Sequence, residues 1–171
     1  MKMKQTSQIL FGSLVTLGMA LFAPLYAGEV DDAVSVVKSF RAALEKGLKK
    51  EAVAHIASFP DVPEEMNEEE VARLIQFAKT EELKIWIFPQ GSKVIGECAV
   101  VTIGDSVKPT PDDPFYLIRR DGKWKLLPSL MHWNEDGVVL TEGEKKNFAE
   151  LEKFHDANRK KIRNDPQQVV E

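Results

Sequence analysis

The stretch Asp113–Pro128, DPFYLIRRDGKWKLLP, decides the fold of this chain. Its two runs of apolar and aromatic residues flank Asp121-Gly122, a pair typical of the two-residue type I′ turn, in which both central residues need a positive φ. Aromatic and branched side chains on both arms suit a pleated, half-buried surface. The stretch therefore predicts a β-hairpin.

Upstream of the hairpin the apolar residues recur at helical spacing. The first helix is predicted from the stripe Val34, Val37, Phe40 and Leu44, and Gly47 is a suitable stop. A shorter second helix is predicted over Lys49–Phe59. A third is predicted to begin at Asn67, which with Glu70 has capping-box spacing, and to bury Val71, Leu74, Ile75 and Ala78.

The period changes to two after this third helix. Leu83–Phe88 alternates as a strand that Pro89 is expected to end, and Gln90–Ser92 is predicted to be a turn. Lys93–Ile103 is apolar on both faces, as a central strand is, and Gly96 within it is expected to mark a bulge.

The C-terminal part is predicted to be a long helix. Thr141 and Glu144 form a capping box, and the helix runs to about Ile162. Its apolar stripe is thin, so we expect the helix to pack as an appendage or in a self-association interface, which leaves a homodimer open. Residues 164–171 are expected to be a flexible tail.

The first 27 residues resemble a secretory signal peptide. Lys2 and Lys4 precede an uncharged, largely apolar run, Pro24 interrupts it, and Ala27 is a small residue suited to the cleavage position. The run is short for a membrane helix. We expect export, a periplasmic or extracellular location, and no stable membrane span after cleavage; the alternative is an uncleaved N-terminal anchor.

Composition and motif spacing exclude several functional classes. The formal net charge is −4, and no basic stripe is present, so nucleic-acid binding is not expected. The three histidines are far apart and Cys98 is the only cysteine, so neither a metal site nor an internal disulfide is predicted. No cofactor motif is found.

Helices followed by strands predict an α+β fold, with the helices on one side of a bent antiparallel sheet and an added C-terminal helix. The opening helix, the phrase Ala43–Gly47 and the phrase Asp121–Leu126 resemble the nuclear-transport-factor-2-like superfamily, or cystatin-like cone. The predicted segments are residues 1–27 (signal peptide), 28–140 (cone-like domain), 141–163 (helix) and 164–171 (tail).

The resemblance implies a cone-shaped domain that encloses an apolar pocket. The residues expected to line that pocket are Val37, Phe40, Leu44, Leu74 and Trp124. Enzymes of this superfamily place an acid or base and a hydrogen-bond donor in the pocket, but the predicted helix stripes offer neither. The remaining catalytic candidates are Glu97, Tyr116 and His132.

The sequence therefore predicts an exported, non-catalytic domain that binds a small apolar ligand or a partner protein in the cell envelope. The alternative is a lyase or isomerase that uses an acid/base pair in the cone pocket. The fold alone does not decide between these classes, because one fold hosts many functions.

Overall fold

The computed structural model describes residues 23–79, 85–104, 111, 113–130, 132–134 and 137–163, with side chains described between residues 28 and 162. Within these ranges the helices are α1 (Ala23–Glu45), α2 (Lys49–Val53), α3 (Glu64–Lys79) and α4 (Glu142–Arg163), and the strands are β1 (Trp86–Ile95), β2 (Cys98–Gly104), β3 (Asp113–Arg120) and β4 (Lys123–Leu126). The strands form one antiparallel sheet in the order β1-β2-β3-β4. This arrangement confirms the predicted α+β class.

Part of the sequence-based prediction lies outside the described residues. The predicted signal peptide up to residue 22 and the predicted tail 164–171 are in this category.

The predicted hairpin is confirmed. Asp121 and Gly122 have φ values of 50° and 71°, and the flanking residues Arg120 and Lys123 pair across the two strands. Two successive positive φ values are the signature of a type I′ turn, whose twist matches that of the strands. The hairpin therefore joins β3 to the edge strand β4.

The predictions for β1 and β2 were wrong at their boundaries. Gln90–Ser92 is not a turn, because β1 continues through it with an irregularity in register between Phe88 and Lys93. Pro89 is tolerated because β1 is an edge strand, where one row of backbone groups has no ladder partner. Gly96 is not in a bulge: with φ of 57° it opens the two-residue turn between β1 and β2.

One face of the sheet, here called the inner face, packs against α1, α2 and α3. Strand β2 is buried along its whole length, and its residues alternate between the faces, so that Val101 points inward and Val100 outward. On the inner face the Phe40 ring of α1 meets the Phe115 ring edge-on, with 6.2 Å between centroids. The α1 stripe predicted from the sequence is the centre of this core.

The opposite, outer face packs against α4. The outward residues Cys98, Val100, Tyr116 and Ile118 meet Phe148 and Leu151 of the helix in a second hydrophobic core. Tyr116 and Phe148 lie perpendicular, with ring centroids 5.8 Å apart. The helix is therefore a layer of the fold and not an appendage, which corrects the expectation from its thin stripe; the outer face of the sheet supplies the apolar surface that the helix lacks.

The helix ends follow local capping chemistry. Gly47 has φ of 69°, and the hydrogen bonds Gly47 N to Leu44 O (3.0 Å) and Leu48 N to Ala43 O (2.9 Å) close α1 as a Schellman motif. The capping box of α4 is confirmed, since Thr141 N donates to Glu144 Oε2 (2.8 Å) and Glu144 N donates to Thr141 Oγ1 (3.3 Å).

Two helices differ from prediction in length. Helix α2 ends at Val53 rather than Phe59, because the chain then turns to cover the edge of β4: Leu126 N donates to His55 O (2.8 Å), and Ala57 N donates to Leu126 O (2.7 Å). Helix α3 begins at Glu64, directly after Pro63, so Asn67 is an internal residue of the helix and not its cap.

Candidate functional site

A cavity of about 650 Å³ lies between α3, the inner face of the sheet and the chain that follows β4. We call it the α3 cavity. Its apolar lining comes from all three elements and includes Leu74, Ile85, Ile103, Phe115 and Leu130. Ile103, Phe115 and Leu130 also belong to the inner core, so the cavity floor is a direct continuation of that core.

Polar side chains line the α3 cavity along α3 and the segments beside it. They are Asp61, Asn67, Glu69, Glu70, Arg73 and His132. Asp61, Glu69, Arg73 and His132 are exposed and Glu70 is half-buried, so the charged part of the lining is in contact with solvent. The cavity thus combines an apolar floor with a polar mouth, as ligand pockets commonly do.

Asn67 is the exception in this polar group, because it is only 7% exposed. Its side chain makes no hydrogen bond to any described residue, although it lines the cavity. It also lines a second cavity of about 630 Å³ between α2 and α3, where Lys49 Nζ bonds Glu68 Oε2 (2.6 Å). The Asn67 amide therefore has two donors and an acceptor available to molecules that enter these cavities.

Arg73 and Glu70 form a bidentate ion pair at the mouth. Arg73 Nε lies 2.9 Å from Glu70 Oε2 and Nη2 lies 2.5 Å from Oε1, and these hydrogen bonds raise the pKa of the guanidinium. Asp61 and Glu69 have no ion-pair partner among the described residues. The lining of the mouth therefore keeps an excess of negative charge.

The five residues predicted to line a ligand pocket have different surroundings. Leu74 lines the α3 cavity, whereas Val37, Phe40, Leu44 and Trp124 lie in the inner core. Trp124 is 7% exposed, and the Arg119 guanidinium lies 5.1 Å from its ring centroid. Sequence periodicity identifies the buried side of a helix but cannot separate residues packed in a core from those beside a cavity.

Glu97 lies in the β1–β2 turn, away from the α3 cavity. Its carboxylate bonds Arg119 through two contacts of 2.5 and 3.0 Å, and Arg119 also reaches Glu29 of α1 at 3.1 Å. The hydrogen bond from Arg119 lowers the pKa of Glu97. Glu97 therefore belongs to a surface ion-pair network that ties α1 to the sheet.

Tyr116 and His132 are also apart from each other. Tyr116 is buried on the outer face beneath α4, where burial raises the pKa of its hydroxyl. His132 is exposed at the mouth of the α3 cavity, and its backbone N–H donates to Ser129 Oγ (3.3 Å). The structure thus brings only one of the three catalytic candidates, His132, to the cavity.

A buried polar pair beneath α4 was missed in the sequence. Thr102 Oγ1 lies 2.7 Å from Gly91 O and 3.0 Å from His155 Nδ1. A carbonyl can only accept, so the hydroxyl donates to Gly91 and accepts from His155, whose Nδ1 carries the proton. The available signal was the position of His155, four residues after Leu151 on the apolar side of the helix.

The described residues contain no group of three or more metal-ligating side chains. No helix in the described part of the chain is both long and apolar enough to cross a membrane.

Comparison of the chain with protein-family models, with curated proteins and with solved structures finds no match. The resemblance to the cone superfamily accordingly stays a prediction from the sequence.

Proposed function

We propose that this protein is an exported, non-catalytic domain that binds a small, largely apolar ligand in the α3 cavity. A volume of about 650 Å³ lies within the range of roughly 300–1,000 Å³ typical of small-molecule pockets. Burial of an apolar ligand on the floor formed by Leu74, Ile103 and Phe115 would supply the affinity, at about 25 cal/mol per Å² of apolar surface.

The observation that carries the proposal is the position of Asn67. The residue is only 7% exposed, lies beside this apolar floor, and its amide bonds no described residue. An amide that lines a cavity and has no partner in the protein is free to bond a ligand or a water molecule there. One fixed polar group in an apolar cavity is the usual means of orienting a ligand.

The alternative of a lyase or isomerase receives no support from the described side chains. Such an enzyme needs a base and a donor within reach of one ligand. Glu97 is engaged by Arg119 at a surface turn, Tyr116 lies on the outer face, and His132 lies at the mouth of the α3 cavity. We therefore advance no catalytic function.

Binding can be tested with N-phenyl-1-naphthylamine, a neutral dye whose fluorescence rises in apolar surroundings. We expect wild type to bind the dye and Leu74→Trp to bind it more than tenfold more weakly, because the indole occupies space in the cavity. Phe77→Trp is the matched control: it places the same side chain on α3 at a residue that is 40% exposed and outside the cavity lining.

Thermal melts of each variant show whether the fold is retained. The absence of a fluorescence increase with folded wild type would contradict the proposed function. So would equal dye affinities in wild type and a folded Leu74→Trp variant. If a partner protein occupies the cavity in the cell, a protein that co-purifies with the chain should compete with the dye for binding.

A further inference from the structure

The charge at the mouth of the α3 cavity restricts the class of ligand. Among the described residues, the cavity lining contains the carboxylates of Asp61, Glu69 and Glu70 and the guanidinium of Arg73. Arg73 is fully engaged with Glu70 through two hydrogen bonds. Asp61 and Glu69 have no ion-pair partner among the described residues, so the mouth attracts cations.

Asn67 and the apolar floor restrict the class of ligand further. Asn67 has an amide oxygen that can accept from an ammonium group, and it lines the same cavity as Asp61 and Glu69. The described floor residues Leu74, Ile103 and Phe115 present only carbon, which disfavours entry of a small hydrated cation because such an ion would lose water there without replacement ligands. A suitable cation must therefore carry an apolar body.

Building on the binding function proposed above, we infer that the ligand of the α3 cavity is an amphiphilic amine. Its apolar chain lies on the floor formed by Leu74, Ile103 and Phe115. Its ammonium group donates to the Asn67 amide oxygen and faces the carboxylates of Asp61 and Glu69. An anionic amphiphile with the same chain is rejected by those carboxylates.

The test compares three ligands with the same ten-carbon chain: decylammonium, 1-decanol and decyl sulfate. Each is titrated against the complex of wild type with N-phenyl-1-naphthylamine at pH 8. Decylammonium binding is also measured directly by calorimetry. We expect decylammonium to bind at least about fivefold more tightly than decyl sulfate at low salt, and the ratio to fall as salt screens the carboxylates.

Three variants locate the preference for decylammonium within the cavity. Asp61→Asn with Glu69→Gln should reduce the preference for decylammonium over decyl sulfate about fivefold or more, since two unpaired carboxylates are removed. Asp121→Asn with Glu150→Gln changes the net charge equally at exposed residues outside the cavity lining and should leave the preference unchanged. Asn67→Leu should weaken decylammonium binding about fivefold or more while dye binding is retained.

The outcomes separate the two proposals. Dye binding without any preference for decylammonium over decyl sulfate overturns the amine inference and leaves the binding function standing. The amine inference also fails, with the binding function intact, if the preference survives in the Asp61→Asn, Glu69→Gln variant. If neither the dye nor decylammonium binds folded wild type, both proposals fail.

Discussion

Glu144 carries two interactions at the start of α4. Its carboxylate accepts the Thr141 N–H in the capping box and also pairs with Arg120 at the end of β3. The side chain is only 12% exposed, and the hydrogen bond from Arg120 lowers the pKa of the carboxyl group. One residue therefore both starts the helix and fixes it to the sheet.

A pH dependence follows from that lowered pKa. The pKa of Glu144 in the folded state lies below the ordinary value of about 4.3. The charged carboxylate therefore stabilises the fold fully above about pH 4.3. This stabilisation is lost as the pH falls through the lowered pKa. We expect Glu144→Gln to be less stable than wild type by about 1 kcal/mol at pH 7, with a gap that closes in acid.

Urea denaturation at steps from pH 7 to pH 3 measures this gap. Glu142→Gln is the matched control. Glu142 pairs with Lys145 on the same helical turn, but the Glu142 side chain is 90% exposed. It should change stability little at any pH. If the stability difference between Glu144→Gln and wild type increased as the pH fell, the stabilising role assigned to the charged Glu144 carboxylate would be contradicted.

At the scale of an element, the docking of α4 depends on the absence of a side chain at Gly91. A Cβ atom there would lie 2.7 Å from Thr102 Oγ1, 2.9 Å from Thr102 Cβ and 2.6 Å from Ile162 Cδ1. The end of the Ile162 side chain can move, but the Thr102 hydroxyl is held by hydrogen bonds to Gly91 O and His155 Nδ1. The glycine thus allows β1, β2 and α4 to approach closely.

We expect Gly91→Ala to lower the free energy of unfolding by about 1–3 kcal/mol, because the added methyl group overpacks the outer core. Gly143→Ala is the matched control: it lies in the first turn of α4, where the nearest atom to a new Cβ is 4.0 Å away. Alanine should be neutral or slightly stabilising there. Equal melting temperatures for Gly91→Ala and wild type would show that α4 does not pack closely on Gly91.

At the scale of the whole molecule, the described side-chain contacts of α1 all lie after the predicted cleavage point. Helix α1 begins at Ala23; Val30 is the first of its described residues to pack against the inner core, and Ala33 is the first to be buried in it. Glu29 lies beyond the predicted cleavage point and still reaches Arg119 at 3.1 Å. Removal of residues 1–27 therefore leaves every described core contact and the anchor of α1 in place.

We predict that the exported protein begins at Gly28. Intact-mass spectrometry of the protein recovered from the extracytoplasmic fraction measures this directly. Replacing Ala27 by Phe should block cleavage there, because the cleavage position needs a small residue. Recovery of the wild-type protein with Met1 still in place would overturn the predicted cleavage.

The features that the sequence determined are those with a local physical cause. Asp121-Gly122 adopts positive φ because of its own backbone preferences, the α1 stripe follows from the helical period, and Thr141 with Glu144 caps α4 through groups three residues apart. The α+β class follows from the order of such elements. Strand β2 was recognisable as central because both of its faces are apolar.

Only the tertiary structure decided where each apolar face is covered and where a cavity remains. Thr102 and His155 are 53 residues apart and meet because α4 packs on the outer face. Asn67 has the spacing of a cap, yet it is a buried internal residue of α3, because the helix begins directly after Pro63. The α3 cavity arises from gaps between elements distant in the chain, and periodicity describes one element at a time.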